Sequence, residues 1–314
     1  MTQQRGANVD VVIGFETTFG TAAWIGFQLP VNSIDIKPTQ TINVAQTLRG
    51  TRNPAQPFRG NKDVSGSIVV PVDSAAFWYW FKVMFDDPVT TGSGPYVHEY
   101  KVPTAQPSIT IEEQFGDLDT PEFFQYLGCK VSNFSIDVGG DGELVATISI
   151  VGSNYAIDTS TCFITSIAAI DIDRVSNFQA ALTEGGSSLS NGTNLSLSID
   201  MGLDLDTFVI GGGGVRGDIP EGIVGVTGTL TTLFEDIILL NKAINSTESS
   251  LILTITDGTY IFELEIQELE YAVTAPSVDG PQGIKAALSF QGFYVNGSEA
   301  SAIVARVTNG DAHA

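Results

Sequence analysis

Over most of the chain apolar residues alternate singly with small or polar ones. Ser65-Gly66-Ser67-Ile68-Val69-Val70-Pro71-Val72, Val131-Ser132-Asn133-Phe134-Ser135-Ile136-Asp137-Val138 and Leu144-Val145-Ala146-Thr147-Ile148-Ser149-Ile150 all keep the period of two that a half-buried strand requires. Clusters such as Gly139-Gly140-Asp141-Gly142 and Thr91-Gly92-Ser93-Gly94-Pro95 punctuate them as turns. Two stretches break the alternation. Residues 73–85 place Phe77, Trp80, Phe81 and Met84 at helical spacing, with Asp73 or Ser74 able to cap the first turn. Residues 235–244 carry Ile237, Leu240 and Ile244, with acids in the first turn where the helix dipole favours them. Glu263 and Glu265 alternate with Phe262, Leu264 and Ile266, which puts the acids on the wet side of a strand. The apolar parity then flips at Leu269 and Tyr271, which predicts a β-bulge near Gln267-Glu268.

The two helices reveal an internal repeat. Val64-Ser65-Gly66-Ser67-Ile68 precedes the first, and Val226-Thr227-Gly228-Thr229-Leu230 precedes the second 162 positions later. Ser33-Ile34-Asp35-Ile36 matches Ser198-Ile199-Asp200-Met201, and Arg59-Gly60 recurs as Arg216-Gly217. Ser108-Ile109-Thr110-Ile111 matches Ile252-Leu253-Thr254-Ile255, and the stretch from Ala146 to Gly152 matches that from Ala286 to Gly292. Each match is short, and their common order carries the argument. The expectation is a mainly β chain of two tandem β-sandwich or barrel domains, each with one flanking α-helix. The first spans residues 10–155 and the duplicated second spans 165–296. Residues 156–194 form a joint with an extra hairpin, which holds Asp171, Asp173 and Arg174. Residues 297–314 form a C-terminal tail.

Composition narrows the chemistry. The 314 residues include 14 Lys and Arg against 36 Asp and Glu, a formal net charge of −22. A tight nucleic-acid binder needs cations to replace phosphate counterions, so such binding is disfavoured, as is an anionic membrane surface. The charge fits either simple solubility or a surface that repels a polyanion. Cys129 and Cys162 are too few for a disulfide framework and read as free thiols. The first residues lead into no apolar stretch, so no signal peptide is expected, and no run has the length of a membrane helix. With only His98 and His313, and no Gly-x-Ser-x-Gly elbow, acid–base or triad catalysis finds little support. Zinc lacks ligands. Residues 137–143 and 200–206 offer oxygen ligands for calcium, but neither has the spacing of a helix-loop-helix calcium loop. Gly211-Gly212-Gly213-Gly214-Val215-Arg216-Gly217 lacks the Lys-Ser/Thr and following helix of a phosphate loop. No cofactor is expected.

One basic cluster stands out on this acidic chain. Arg49, Arg52, Arg59 and Lys62 fall in a Pro- and Gly-rich loop. It is solvated, or touches DNA, or docks on an acidic patch of the next copy of the same chain. Docking, the favoured reading, gives head-to-tail association that extends along an axis.

Gly14-Phe15-Glu16-Thr17-Thr18-Phe19-Gly20-Thr21 resembles the start of phage tail tube proteins. Leu29-Pro30-Val31, Leu48-Arg49-Gly50-Thr51-Arg52 and Arg59-Gly60-Asn61-Lys62-Asp63-Val64-Ser65-Gly66-Ser67 follow in that family's order. Pro107-Ser108-Ile109-Thr110-Ile111-Glu112 and Tyr126-Leu127-Gly128-Cys129-Lys130-Val131 complete the first half. The likeness is strong to about residue 152 and looser beyond. It implies a structural virion protein, not an enzyme, made in the host cytoplasm and assembled into the phage tail. It further implies rings whose inner strands join into one continuous barrel, stacked on a tape-measure protein and bounded by tail-tip and tail-terminator proteins, with DNA passing through unbound. Two domains per chain predict homotrimeric rings of pseudo-sixfold symmetry. If the second half is decoration, homohexameric rings are required. A long non-contractile tail is the default expectation. Asp35, Asp137, Asp200 and Asp204 are the candidate acidic strand or lumen positions. The competing readings are a tail-tip, baseplate or capsid decoration protein, a carbohydrate-binding β-sandwich using Phe77, Trp78, Tyr79, Trp80 and Phe81, and a hydrolase using His98.

Overall fold

The computed structural model describes residues 3–73, 76–158, 161–170, 172, 174–256, 258–278 and 280–310. Ser74, Asp171, Asp173 and His313, named above, lie outside the described residues. The strands β1 (Val9–Phe15), β2 (Ile25–Gln28), β3 (Ser33–Ile34), β4 (Lys37–Asn43) and β5 (Phe58–Pro71) lead into α1 (Phe77–Phe85). A hairpin of β6 (Val89–Thr91) and β7 (Tyr96–Lys101) follows, then β8 (Ile109–Phe115), β9 (Glu122–Val138), β10 (Val145–Gly152) and β11 (Asn154–Asp158). The middle of the chain supplies β12 (Ser166–Ala169), β13 (Ala180–Glu184) and β14 (Ser187–Ser188). The second half runs β15 (Gly192–Asp200), β16 (Gly225–Leu233), α2 (Ile238–Ile244), β17 (Ser249–Thr256), β18 (Ile261–Tyr271), β19 (Lys285–Phe293) and β20 (Val304–Asn309). Among the described residues the fold is therefore mainly β with two α-helices, as the alternation predicted.

The pairings make a large branched sheet that does not close into a barrel. One arm runs β12-β2-β1-β8-β9-β11. The main run is β3/β4-β5-β10-β9-β15-β16-β19-β18. At β18 it branches to β20-β7-β6 on one edge and to β17-β13-β14 on the other. The 17-residue β9 belongs to both arms, because it bends. Its pairing with β8 jumps from Ile109↔Cys129 to Ile111↔Tyr126, leaving Leu127-Gly128 as a bulge. Gly128 has φ +60°, and a Cβ there would stand 2.9 Å from the Phe19 ring. The pairing of β17 with β18 jumps likewise, from Ser249↔Leu269 to Leu251↔Ile266. The bulge falls at Gln267-Glu268, where the parity flip predicted it.

Buried residues from Val11 to Val307 form a single apolar cluster. Its centre is α1, which buries seven of its nine residues. The Asp73 carboxylate accepts a hydrogen bond from the Ala76 N–H just ahead of it. Phe77 and Phe81 each lie 5.2 Å, ring to ring, from Phe262 of β18, and Phe81 lies 5.7 Å from Tyr100 of β7. The helix is thus buried all round, beyond the single stripe that its spacing called for. The second helix behaves differently: Ile237, Ile238 and Ile244 are exposed and only Ala243 is buried. It lies along β18 with Leu239 and Ala243 against the core and leaves those isoleucines uncovered.

Strand β20 lies within the stretch expected as a tail. It is buried between β18 and β7, so the β6–β7 hairpin of the first half is knitted into the second.

Candidate functional site

Along the main run one side of the sheet faces the core and the other is open. On β15, Leu195, Leu197 and Ile199 are buried while Ser196 and Ser198 alternate with them. On β16, Val226 and Leu230 are buried and Thr227, Thr229 and Thr231 point the other way. On β19, Leu288 and Phe290 are buried and Ser289 and Gln291 are exposed. The same parity gives Ser135 on β9, Thr147 and Ser149 on β10, and Ser65 and Ser67 on β5. The result is one continuous face of small hydroxyl side chains. Thr229 and Ser289 meet across it at 3.3 Å, and Asn133 donates to the Ser198 hydroxyl at 2.9 Å. A depression of about 820 Å³ opens on it over Ser196, Thr227 and Ser289.

Three of the four candidate acids fall on this face. Asp137 stands opposite Ser196, and Asp200 stands between Asn133 and Gly225. Asp35 has the parity of Ser33 and is paired with Lys37 at 2.5 Å. All three are exposed. Asp204 does not join them. It sits in the connection between β15 and β16, where its carboxylate accepts from the Asp206 N–H at 3.0 Å.

The four basic residues are divided. Arg49 and Arg52 lie on the exposed connection between β4 and β5, with Arg49 bonded to the Pro54 carbonyl at 2.8 Å. The loop carries exposed apolar residues beside its charges, Leu48 being 100% exposed. Arg59 opens β5 and reaches Gln40 at 3.4 Å. Lys62 turns inward: it donates to Asn154 at 3.1 Å and lies 5.4 Å from the Tyr155 ring centroid. It belongs to the packing of β5 and not to the loop.

Two buried cations that the spacing of charges gave no reason to single out fasten the long β15–β16 connection. Arg216 forms an ion pair with Asp63 at 2.7 Å and donates to the carbonyls of Leu205 and Gly152 at 2.8 and 2.9 Å. Lys130 bonds Glu221 at 2.7 Å and the Ile219 carbonyl at 2.8 Å. Burial pushes Glu221 up, but the Lys130 ammonium and the Gln106 N–H outweigh it and hold the carboxyl below its ordinary value. The glycines of residues 211–214 form the tip of this connection, and Gly214 accepts from the Lys62 N–H at 2.7 Å. No helix follows them.

A second charged cluster crosses β7, β20 and β18. Arg306 bonds Glu99 and Glu263 at 2.9 Å, and also Glu265, while Lys101 bridges Glu99 and Glu299 at 2.9 and 2.8 Å. Glu263 and Glu265, read as solvated, are half-buried partners of this arginine.

The side chains of the competing readings are engaged in packing. His98 is fully buried, with Nδ1 2.8 Å from the Thr90 hydroxyl and Nε2 3.2 Å from Asn309. Trp78 stacks on Tyr79 at 3.7 Å, and the neighbouring rings are core. Cys129 and Cys162 are free thiols, and burial pushes the Cys129 thiol well up. Among the described residues no group of three or more His, Cys, Asp or Glu is placed to hold a metal, and no helix is long and apolar enough to cross a membrane.

An open sheet with one hydroxyl-lined face, free edges and long apolar-tipped connections defines a structural β-sheet building block. The family model described as phage tail tube protein matches residues 6–292, which covers both halves, and the chain belongs to that family. It is accordingly a component of a virion tail. No curated protein matches the chain.

Proposed function

We propose that this protein is the repeating subunit of a phage tail tube, and that the hydroxyl face lines the bore through which DNA travels. The observation that carries the reading is the pairing of β9 with β15. It joins the first half's strands to the second's in one sheet, with Asp137, Asp200, the serines and the threonines all on one side. Small hydroxyls and carboxylates outnumber the two lysines of this face, Lys37 (paired with Asp35) and Lys285 at the start of β19, so phosphate finds little to hold it and DNA slides past. Rings stack on a tape-measure protein, and the exposed β4–β5 connection, with Arg49, Arg52 and Leu48, docks on the acidic surface of the next ring. Tail-tip and tail-terminator proteins close the two ends.

Eight strands per chain set the size. Three chains make a barrel of roughly 24 strands. At about 4.8 Å per strand and a tilt of about 40°, its backbone diameter is about 48 Å. Six chains that each give all eight strands double it to about 96 Å, whereas six that give only their four first-half strands keep it near ~48 Å. The two-half architecture favours three chains and pseudo-sixfold symmetry. Negative-stain electron microscopy of the purified protein over a concentration series tests both points. Hollow tubes with the narrower wall are expected. Tubes of the wider diameter, or class averages showing six whole subunits per ring, overturn the trimer, and closed rings that never stack favour a tail-tip or decoration protein.

A further inference from the structure

The geometry points to a specific seam between neighbouring copies: residues 272–278 of one chain lie antiparallel beside β3 and β4 of the next, with Ile34 opposite Val278 and Thr39 opposite Val273. The inference rests on the ring reading and gives it a register.

It begins with an internal correspondence between the halves. The bulge at Leu127-Gly128 on β9 recurs at Gln267-Glu268 on β18, a shift of 140 positions. The same shift carries Ile150↔Val131 onto Phe290↔Tyr271. Strand β5 lies on β10 as β16 lies on β19: Ile68↔Ile148 matches Leu230↔Leu288. Ile34↔Ile68 then corresponds to Leu195↔Leu230, and Lys37↔Ser65 to Ser198↔Thr227. The pairings thus set Asp35 level with Ser196, in place of the match with Asp200 that local sequence suggested. The short turn before β1, Gly6–Asn8, also recurs before β13, as Asn177–Gln179.

With the halves superposed in this way, one pairing lacks its second instance. Residues 133–138 of β9 are covered by β15, from Asn133↔Asp200 to Val138↔Leu195. Their counterparts, 273–278, belong to no strand, and Val273 and Val278 are 64% and 73% exposed. The counterpart of β15 is β3–β4, which pairs with β5 on one side only. Each chain therefore ends its main run with one edge of each kind, and a second copy fits them together by the rule that β9 and β15 already obey.

Two features agree with that occupant. Within the chain Asp137 faces Ser196, and at the seam Ser277 faces Asp35, so each junction sets one acid against one serine on the open face. The helix α1 is covered by β18 of the other half, whereas α2, beside Thr274 and Pro276, exposes Ile237, Ile238 and Ile244 where the next copy would lie.

The test is disulfide capture in tubes of the full chain carrying Cys162→Ser. Thr39→Cys with Val273→Cys changes two exposed positions, so folding is retained. Oxidation should give a covalent ladder on a denaturing gel that ends at one ring of subunits. The pair Thr41→Cys with Val273→Cys, two residues out of register on the same side, should give none, because its Cα atoms stand beyond disulfide reach. Ile34→Cys with Val278→Cys repeats the test at the other end of the seam. Tubes that form but cross-link through neither in-register pair, or through Thr41 instead, overturn the seam and leave the ring standing. Failure of the unsubstituted protein to form rings or tubes at any concentration or salt overturns both.

Discussion

At the scale of single residues the most informative group is one the sheet has buried without a cation. Glu113 of β8 is 8% exposed, and burial pushes its carboxyl up to about 7, helped by the charge of Asp35 and opposed by a hydrogen bond from Tyr126. In the unfolded chain the same group titrates near 4.5. Between those values the folded protein holds a proton that the unfolded chain has lost, so stability falls as pH rises through that window and levels off above it. The loss amounts to about 3 kcal/mol. Glu113→Gln should match the parent near pH 4 and exceed it at pH 8, read as the urea midpoint at each pH. A parent whose advantage over the variant grows with pH would contradict the assignment. Glu112 is raised by burial in the same direction, so both proteins keep its slope and only the difference reports Glu113.

At the scale of elements, the strands were legible because each carries its own alternation, and the bulge at Gln267-Glu268 was legible because a parity flip is a local event. Burial that depends on distant strands was not. The aromatic spacing of α1 announced one stripe, yet the helix is enclosed because β7 and β18 arrive from far along the chain. The shorter α2 packs on β18 through Leu239 and Ala243 and keeps its isoleucines exposed. The hydroxyl face is written in the strands, as Ser and Thr at alternate positions of β15, β16 and β19, but acids drew attention first because charge is the louder signal. Lys62 was misplaced among loop residues because spacing along the chain does not show which way a strand side chain turns. Arg216 shows what the connections hold. Its guanidinium serves Asp63 and two carbonyls at once, so Arg216→Ala leaves buried acceptors without a donor, at a cost of about 3 kcal/mol. Lys in its place keeps the charge but cannot span all three, and should fall between. The urea midpoint gives the magnitude, and limited proteolysis should show new cleavage between residues 205 and 221 first. Unchanged proteolysis would mean that Lys130 alone secures the connection.

At the scale of the whole molecule, the proposed bore requires that the open face not hold a polyanion. Asp137 and Asp200 are exposed on neighbouring strands, so Lys at both changes charge without touching the core. In a ring of three chains the substitution places six ammonium groups around the bore. Each one that meets a phosphate releases a counterion and adds about 0.9 to the slope of log affinity against log salt. Parent tubes should hold short duplex DNA weakly and with a flat salt response. Tubes of the double variant should retain DNA at low salt and release it steeply as salt rises, measured by co-sedimentation. The salt series separates this from a general stickiness of tubes, since screening removes only the charge-dependent part. If parent and variant tubes retain DNA alike, the hydroxyl face is on the outside and the bore must be lined by another surface. If only the variant retains it, the excess of acids over the lysines of this face is what keeps the channel free.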